Sequence, residues 1–126
     1  LDRHVILKAD YISSQEIPDI FFASDLAVLP YKHIDTSGSI QMAYAFSKPV
    51  VASRTGSMPE VLDDNVNGVL VPCDDPQALA DAMEKILFDP LALERMGAAS
   101  LALARDRFSW QAIAQKTGAL YKEVGT

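Results

Sequence analysis

Short apolar runs of strand length, separated by segments with helical spacing, constrain the fold of this 126-residue chain most strongly. The clearest run is Leu26–Pro30, in which apolar and polar residues do not alternate. Such a run is typical of a strand covered on both faces, as in a parallel sheet. The other runs are His4–Leu7, Pro49–Ala52 and Val69–Val71. Strands that alternate with helices predict a Rossmann-like α/β fold, a doubly wound parallel sheet with flanking helices.

Capping residues and prolines mark where the helices begin. Pro18 is predicted at the first position of one helix, and Thr36–Ser39 precedes another. Asp75-Pro76 and Asp89-Pro90 repeat one device, in which aspartate caps the free N–H groups and proline sets the first turn. A final helix is expected to begin near Ser109.

Helical spacing also predicts which residues these helices bury. Ile40, Ala43 and Tyr44 share one side of their helix. In the last helix, Trp110 and Tyr121 belong to an apolar stripe, and we expect both of them in the core rather than at a stacking site.

The net charge of −6, from 17 acidic and 11 basic residues, argues against nucleic acid as a partner, since no basic stripe is present. A phosphate-bearing small molecule remains possible, because backbone amides at a helix start can bind it. Cys73 is the only cysteine, which excludes an intrachain disulfide and fits a reducing cytosol. We therefore expect a cytoplasmic protein.

Several stretches, in this order and at this spacing, resemble the C-terminal domain of retaining glycosyltransferases of the GT-B architecture, in particular the large group-4 family. They are IPDIFFASDLAVLP (17–30), SGSIQMAYAFSKPVVA (37–52), GSMPEV (56–61), NGVLV (67–71) with DPQAL (75–79), and FSW (108–110).

The resemblance implies that residues 1–126 are a partial nucleotide-sugar-binding domain. The enzyme would transfer a sugar from UDP, GDP or a similar carrier to an acceptor with retained anomeric configuration. No metal or other cofactor is expected, and an N-terminal domain would hold the acceptor, so this part alone would be inactive. Parts outside this chain would account for any attachment to the inner face of a membrane.

Family members have two further strand–helix units before the segment His4–Leu7, and their first two strands lie between that segment and Leu26–Leu29. The sheet of this chain would then have a gap. We expect either a rearranged sheet edge or self-association through the exposed edge.

Ser37, Gly38 and Ser39 are the candidates for binding the donor diphosphate. Free N–H groups at a helix start attract an anion, glycine permits close approach, and the two hydroxyls can donate to phosphate oxygens. An ordinary N-cap followed by a small residue is the alternative.

The family often has two glutamates eight positions apart in this region, one near the donor sugar and one on the nucleotide ribose. Those positions are Ile34 and Met42 in this chain. Asp35 is a possible substitute for the first glutamate, while Gln41 is a poor substitute for the second because one residue turns a helix by about 100°. Asp35 and Met42 are therefore counted among the residues expected near the donor sugar or nucleotide, and for Met42 a place in the core is the favoured alternative.

Four further residues are expected near the donor sugar or nucleotide. Gly56 and Ser57 resemble a paired-glycine loop of the family, with a simple turn as the alternative. Glu60 matches a family glutamate at the start of the following helix, which would bond loop amides rather than substrate, and an ordinary acidic residue in the first helical turn is the alternative. Lys32 follows a strand on the ligand side of the sheet, where it could pair with phosphate or remain solvated. No catalytic residue is assigned.

Two other functions remain open. The missing glutamates fit a non-catalytic regulatory or scaffolding relative of the glycosyltransferases. An unrelated flavodoxin-like or receiver-type domain would need an acidic cluster or a flavin loop at the strand ends, for which Asp35 alone is weak support.

Overall fold

The computed structural model describes residues 3–125, in which short strands and helices follow one another along the chain. The strands are β1 (Ala27–Leu29), β2 (Val50–Ser53) and β3 (Gly68–Val71). The helices are α1 (Ile17–Phe22), α2 (Gly38–Ala45), α3 (Met58–Val61), α4 (Pro76–Leu87), α5 (Pro90–Asp106) and α6 (Trp110–Val124). Within these residues the strands form one parallel sheet in the order β1-β2-β3. The predicted α/β fold with a parallel sheet and flanking helices is confirmed.

The central position of β2 explains its apolar run Val50–Ala52, which is followed by the buried Ser53. Val51 of β2 is aligned with Val28 of β1 and Val69 of β3, and all of β2 is buried. A central parallel strand is covered on both faces, so neither face favours polar residues. β1 is at the edge of the described sheet and is only half-buried. The sequence predicts that β1 is buried on both faces, but in the structure it is only partly buried.

Each face of the sheet has its own apolar core, because alternate residues of a strand point to opposite faces. The buried residues of the first core, between β2, β3, α2 and α3, are Ile40, Ala43, Tyr44, Val50, Ala52, Met58, Leu62 and Leu70. Those of the second, between β2, β3, α4 and α5, are Val51, Val71, Ala82, Ile86 and Met96. The predicted burial of three residues of α2 is confirmed.

The predicted strand at His4–Leu7 is wrong. Residues 3–12 contain no helix or strand, and the side chains of Ile6 and Leu7 are 96% and 87% exposed. A short apolar run forms a strand only where a neighbouring strand supplies hydrogen bonds, and this segment does not join the sheet beside β1. The expected rearrangement of the edge is therefore absent from residues 3–125, while self-association stays a prediction.

Glu16 anchors the end of this segment in front of α1. Its carboxylate accepts hydrogen bonds from the N–H and the hydroxyl of Ser13, at 3.1 and 2.9 Å, and pairs with Lys8. The hydrogen bond from Lys8, followed by those from Ser13, lowers the pKa of Glu16 to about 2. α1 then begins at Ile17, so Pro18 is its second residue rather than its first.

α6 buries none of its side chains against the rest of the described chain. Trp110 and Tyr121, which were expected in the core, are 86% and 75% exposed. The spacing correctly predicted an amphipathic helix, but spacing does not establish that another element covers the apolar face. No helix within residues 3–125 is both long and apolar enough to cross a membrane.

Candidate functional site

The first turn of α2 has backbone N–H groups without acceptors. In front of α4, α5 and α6, a cap side chain accepts from the N–H three residues on: Asp75 from Ala78, Asp89 from Ala92, and Ser109 from Ala112. Ser37 occupies this position before α2 but makes no capping bond, and its hydroxyl lies 3.3 Å from that of Tyr31. Among residues 3–125, the N–H groups of Gly38, Ser39 and Ile40 have no hydrogen-bond partner. Their partial positive charge favours an anion.

The space in front of this helix start is open. Gly38 and Ser39 are exposed. A β-carbon added to Gly38 would meet no atom within 4 Å. The glycine is therefore not required by packing, and the exposed residues Gly38 and Ser39 face open space, whereas Ile40 is buried.

The loop after β2 packs against the loop that leads into α2. Gly56 has a φ of +52°, and a β-carbon on it would lie 1.6 Å from the carbonyl oxygen of Ile34. The N–H of Ser57 donates to the carbonyl oxygen of Asp35 at 3.3 Å. Gly56 thus provides both a positive φ and a close approach of two backbones. The contact holds both loops at the carboxyl end of the sheet, where open α/β sheets bind ligands.

Lys32 is directed toward the loop after β3. Its ammonium lies 2.8 Å from the carboxylate of Asp74, and the hydrogen bond with this carboxylate raises the pKa of Lys32. The pair lies at a cavity of about 160 Å³ whose lining includes Ser53, Val71 and Pro72. Both charged side chains are largely exposed, so Lys32 forms a solvated ion pair beside the strand ends.

A second cavity, of about 210 Å³, lies between α1 and α2, and we call it the α1–α2 cavity. It is lined by Ile12, Ile17, Ile20, Phe21, Ser39 and Met42. Phe21 and Phe22 both contact the ring of Phe46 just after α2, stacked at 4.9 Å and edge-on at 5.5 Å. These ring contacts hold α1 against the end of α2, and the cavity lies beside the first turns of α2.

Met42 lines this cavity and is 38% exposed, so the expectation that it belongs to the core is wrong. Each residue advances a helix by about 100°. The side of α2 that faces the core is occupied by Ile40, Ala43 and Tyr44, and Met42 is turned away from it. The structure thereby adds Ile12 and Ile17 to the candidate site. Sequence reasoning missed them because their apolar character is equally typical of core residues.

The two positions without glutamate differ in environment. Ile34 is partly buried and packs against the first core, while Asp35 beside it is exposed. Asp35 is thus the acidic side chain on the solvent side of this loop.

The backbone of Glu60 contacts the loop after β2, since its N–H donates to the carbonyl oxygen of Ser57 at 3.0 Å. Its carbonyl oxygen accepts a hydrogen bond from Arg107 at 2.9 Å. Its carboxylate makes no hydrogen bond to loop amides among the described residues. The structure therefore brings Asp35, Gly56 and Ser57 together in the loops next to Ser37–Ser39, while the Lys32 ammonium pairs with Asp74.

A sheet of this topology with its loops gathered at the carboxyl edge defines a Rossmann-like α/β domain. The family described as "Glycosyl transferases group 1" matches residues 1–89. This chain belongs to the group 1 glycosyltransferases. The resemblance to the C-terminal domain of GT-B enzymes is thereby confirmed.

Individual relatives agree with this assignment. The chain is 35% identical over 111 residues to the D-inositol 3-phosphate glycosyltransferase of Corynebacterium diphtheriae, covering 87% of this chain and 26% of that protein. Among solved structures, the sucrose-phosphate synthase of Thermosynechococcus elongatus superposes with a TM-score of 0.75 at 30% identity, over 83% of this chain and 26% of the enzyme. Anabaena HepE in complex with UDP gives 0.78 at 26% identity, over 86% and 30%. HepE has also been solved with UDP-glucose. The chain spans about a quarter of the length of the curated relatives it matches.

Proposed function

We propose that this chain binds the nucleotide-sugar donor of a retaining glycosyltransferase, with the diphosphate at the first turn of α2. The observation that carries the proposal is the set of free N–H groups on Gly38, Ser39 and Ile40. The complexes of HepE with UDP and with UDP-glucose support it, since that protein shares this fold at 26% identity.

The diphosphate is the group that most needs this environment. When the sugar is transferred, the bond between its anomeric carbon and the diphosphate oxygen breaks, the acceptor hydroxyl oxygen takes its place on that carbon, and the hydroxyl proton passes to the diphosphate or to water. The leaving diphosphate gains negative charge. Preoriented amides stabilise such charge because they need no rearrangement during the reaction. The hydroxyls of Ser37 and Ser39 are close enough in sequence to add two donors.

The remaining loop residues suit the donor sugar. Asp35 is an exposed acceptor for sugar hydroxyls, and Gly56 and Ser57 lie against the same loop. In this proposal the amides neutralise the diphosphate without a metal ion, and UDP binding persists in the presence of a chelator. The acceptor is held by a separate N-terminal domain, so this chain alone binds donor without turning it over.

The test is to measure by ligand-observed NMR whether this chain binds UDP, GDP or ADP. The Gly38→Val variant places a branched side chain in the open space before the amides. We expect it to weaken binding at least about tenfold, the loss of a hydrogen bond to a charged group. Gly118→Val is the matched control, since Gly118 is also helical with nothing within 4 Å of an added β-carbon.

Binding that is unchanged in Gly38→Val, with thermal unfolding confirming a folded variant, would rule out the proposed diphosphate position. Absence of binding to all three nucleotides, combined with tight binding to a protein partner, would favour the second candidate, a non-catalytic regulatory or scaffolding relative. The apolar side chains of Ile34 and Met42, where the family often has glutamates, favour that candidate.

A further inference from the structure

The backbone of Ser37 has the conformation of a helix cap, although its side chain does not cap α2. Its φ and ψ are −135° and 117°, extended like those of Asp89 (−121° and 93°) before α5 and Ser109 (−67° and 149°) before α6. Both of those side chains accept from the N–H three residues on. The backbone therefore does not prevent Ser37 from capping Ile40, and a competing contact accounts for the direction of its hydroxyl.

Tyr31 supplies the competing contact. It follows β1 closely, and its partly buried side chain packs against the first core. This packing fixes the phenol oxygen, which lies 3.3 Å from the hydroxyl oxygen of Ser37. Because a phenol gives up its proton more readily than an alcohol does, Tyr31 donates and the Ser37 oxygen accepts. The oxygen of Ser37 is thereby held beside Tyr31 instead of beside the N–H of Ile40.

The two arrangements of the Ser37 hydroxyl are close in energy. A distance of 3.3 Å exceeds the 2.7–2.8 Å that is typical between hydroxyl oxygens, so the bond with Tyr31 is weak. A weak hydrogen bond and a serine cap contribute similar amounts to stability. Among residues 3–125 the Ser37 hydroxyl has no other hydrogen-bond partner. Removal of the phenol hydroxyl is therefore enough to let Ser37 turn to the N–H of Ile40.

We propose that Tyr31 is a positioning residue of the donor site, which holds the Ser37 hydroxyl away from the cap and so keeps the N–H of Ile40 free for the diphosphate. This inference rests on the proposed function, which places the diphosphate at the start of α2. Tyr31 acts through Ser37 and does not itself contact the donor. Its ring belongs to the first core, and its hydroxyl serves the site.

The experiment measures the dissociation constant of UDP by isothermal titration for this chain and for its Tyr31→Phe variant. Phenylalanine keeps the ring in the core and removes only the hydroxyl. Ser37 then caps Ile40, and the diphosphate has to displace this cap. We expect binding to weaken about fivefold, the effect of one helix cap expressed as an affinity ratio. Unchanged affinity in Tyr31→Phe would overturn the inference.

Tyr121→Phe is the matched control for the loss of a phenol hydroxyl. Tyr121 lies on α6, and its side chain is 75% exposed. This variant should bind UDP as tightly as the wild type does. An equal loss of affinity in both variants would show that the effect is not specific to Tyr31.

Amide exchange provides a second measurement, which requires no nucleotide. Without ligand, the N–H of Ile40 has no partner among the described residues, whereas in Tyr31→Phe it donates to Ser37. We expect its exchange to slow about fivefold in that variant, and not in Tyr31→Phe/Ser37→Ala, which has no cap to form. Unchanged exchange in a folded Tyr31→Phe chain would contradict the positioning role.

Ser37→Ala separates positioning from direct contact with the donor. No serine hydroxyl is then present to cap the helix, so adding Tyr31→Phe to Ser37→Ala should leave the UDP affinity of the single variant unchanged. A further fivefold loss in that background would show that Tyr31 binds the diphosphate itself or supports the loop, and positioning through Ser37 would be wrong.

The two measurements also distinguish this inference from the proposed function. If the wild type binds no UDP, the proposed function is contradicted. The exchange of the Ile40 amide then still decides whether Tyr31 controls the Ser37 hydroxyl, since slower exchange in Tyr31→Phe supports that control and unchanged exchange overturns it.

Discussion

Gly56 approaches Ile34 so closely that a β-carbon on the glycine would lie 1.6 Å from the Ile34 carbonyl oxygen. The two residues belong to loops that follow different strands, so this contact fixes the distance between the loops. The atom in the way is a backbone oxygen, which cannot rotate aside as a side chain can. The glycine is consequently a requirement of the fold, independent of any ligand.

Replacing Gly56 with alanine should therefore destabilise the chain. A non-glycine residue at a φ of +52° costs about 1–3 kcal/mol, to which the backbone clash adds. The free energy of unfolding from urea titration measures the effect. Gly38→Ala is the control, since its β-carbon meets open space, and a stability change as large as that of Gly56→Ala would contradict this explanation.

Removing the cap of α5 should lower the free energy of unfolding by less than replacing Gly56. The Asp89 carboxylate accepts from the N–H of Ala92 at 3.1 Å, and Asp89→Ala should lower the free energy of unfolding by about 1 kcal/mol. Asp89→Asn preserves an acceptor at the same place and should retain most of the stability. Equal losses in the two variants would show that the charge, rather than the hydrogen bond, provides the stabilisation.

Tyr44 predicts how stability depends on alkaline pH. Burial, as the largest cause, raises the pKa of Tyr44 to about 12 from an ordinary value near 10. Below pH 10 the phenol is protonated in both states. Between about pH 10 and 12 it ionises only in the unfolded chain, so stability should fall through this window by at most about 2–3 kcal/mol.

Urea titrations at several pH values measure this loss, with Tyr44→Phe as the reference. The phenylalanine variant lacks the 2.8 Å hydrogen bond to the Val61 carbonyl oxygen and should be less stable at neutral pH. Its stability should fall less steeply above pH 10. Parallel curves for the two proteins would mean that Tyr44 does not contribute to the alkaline loss.

Replacing Gly118 with alanine should stabilise α6. The glycine lies inside α6 with no atom near an added β-carbon, and alanine is favoured over glycine in a helix interior by about 1 kcal/mol. Gly118→Ala should increase the helical signal in far-ultraviolet circular dichroism and slow amide exchange within α6. Decreased helicity would indicate a contact of Gly118 that residues 3–125 do not show.

The sequence predicts where the helices and strands lie better than it predicts which of their residues are buried. The caps at Asp75, Asp89 and Ser109 were predictable because capping depends on neighbours in the chain. The exposure of Ile6 and Trp110 was not, because burial depends on which distant element lies opposite.

The candidate site shows the same division. The free amides follow from a helix start at Ser37–Ser39, which the sequence predicts. The α1–α2 cavity depends on the contact between Phe21 of α1 and the ring of Phe46. No local sequence pattern predicts a contact between residues this far apart in the chain. Donor contacts of the individual site residues stay predictions.

Two arrangements compete for the Ser37 hydroxyl. A local cap would pair it with an N–H of the first turn of α2, but the observed packing places it beside the Tyr31 hydroxyl, so α2 is locally frustrated. A capped helix start gains about 1 kcal/mol, which α2 forgoes. An anion that reaches the three amides relieves this frustration only in the folded chain, because the unfolded chain has no aligned amides. Folding is thus linked by mass action to the anions in solution, and the melting temperature should rise with their concentration.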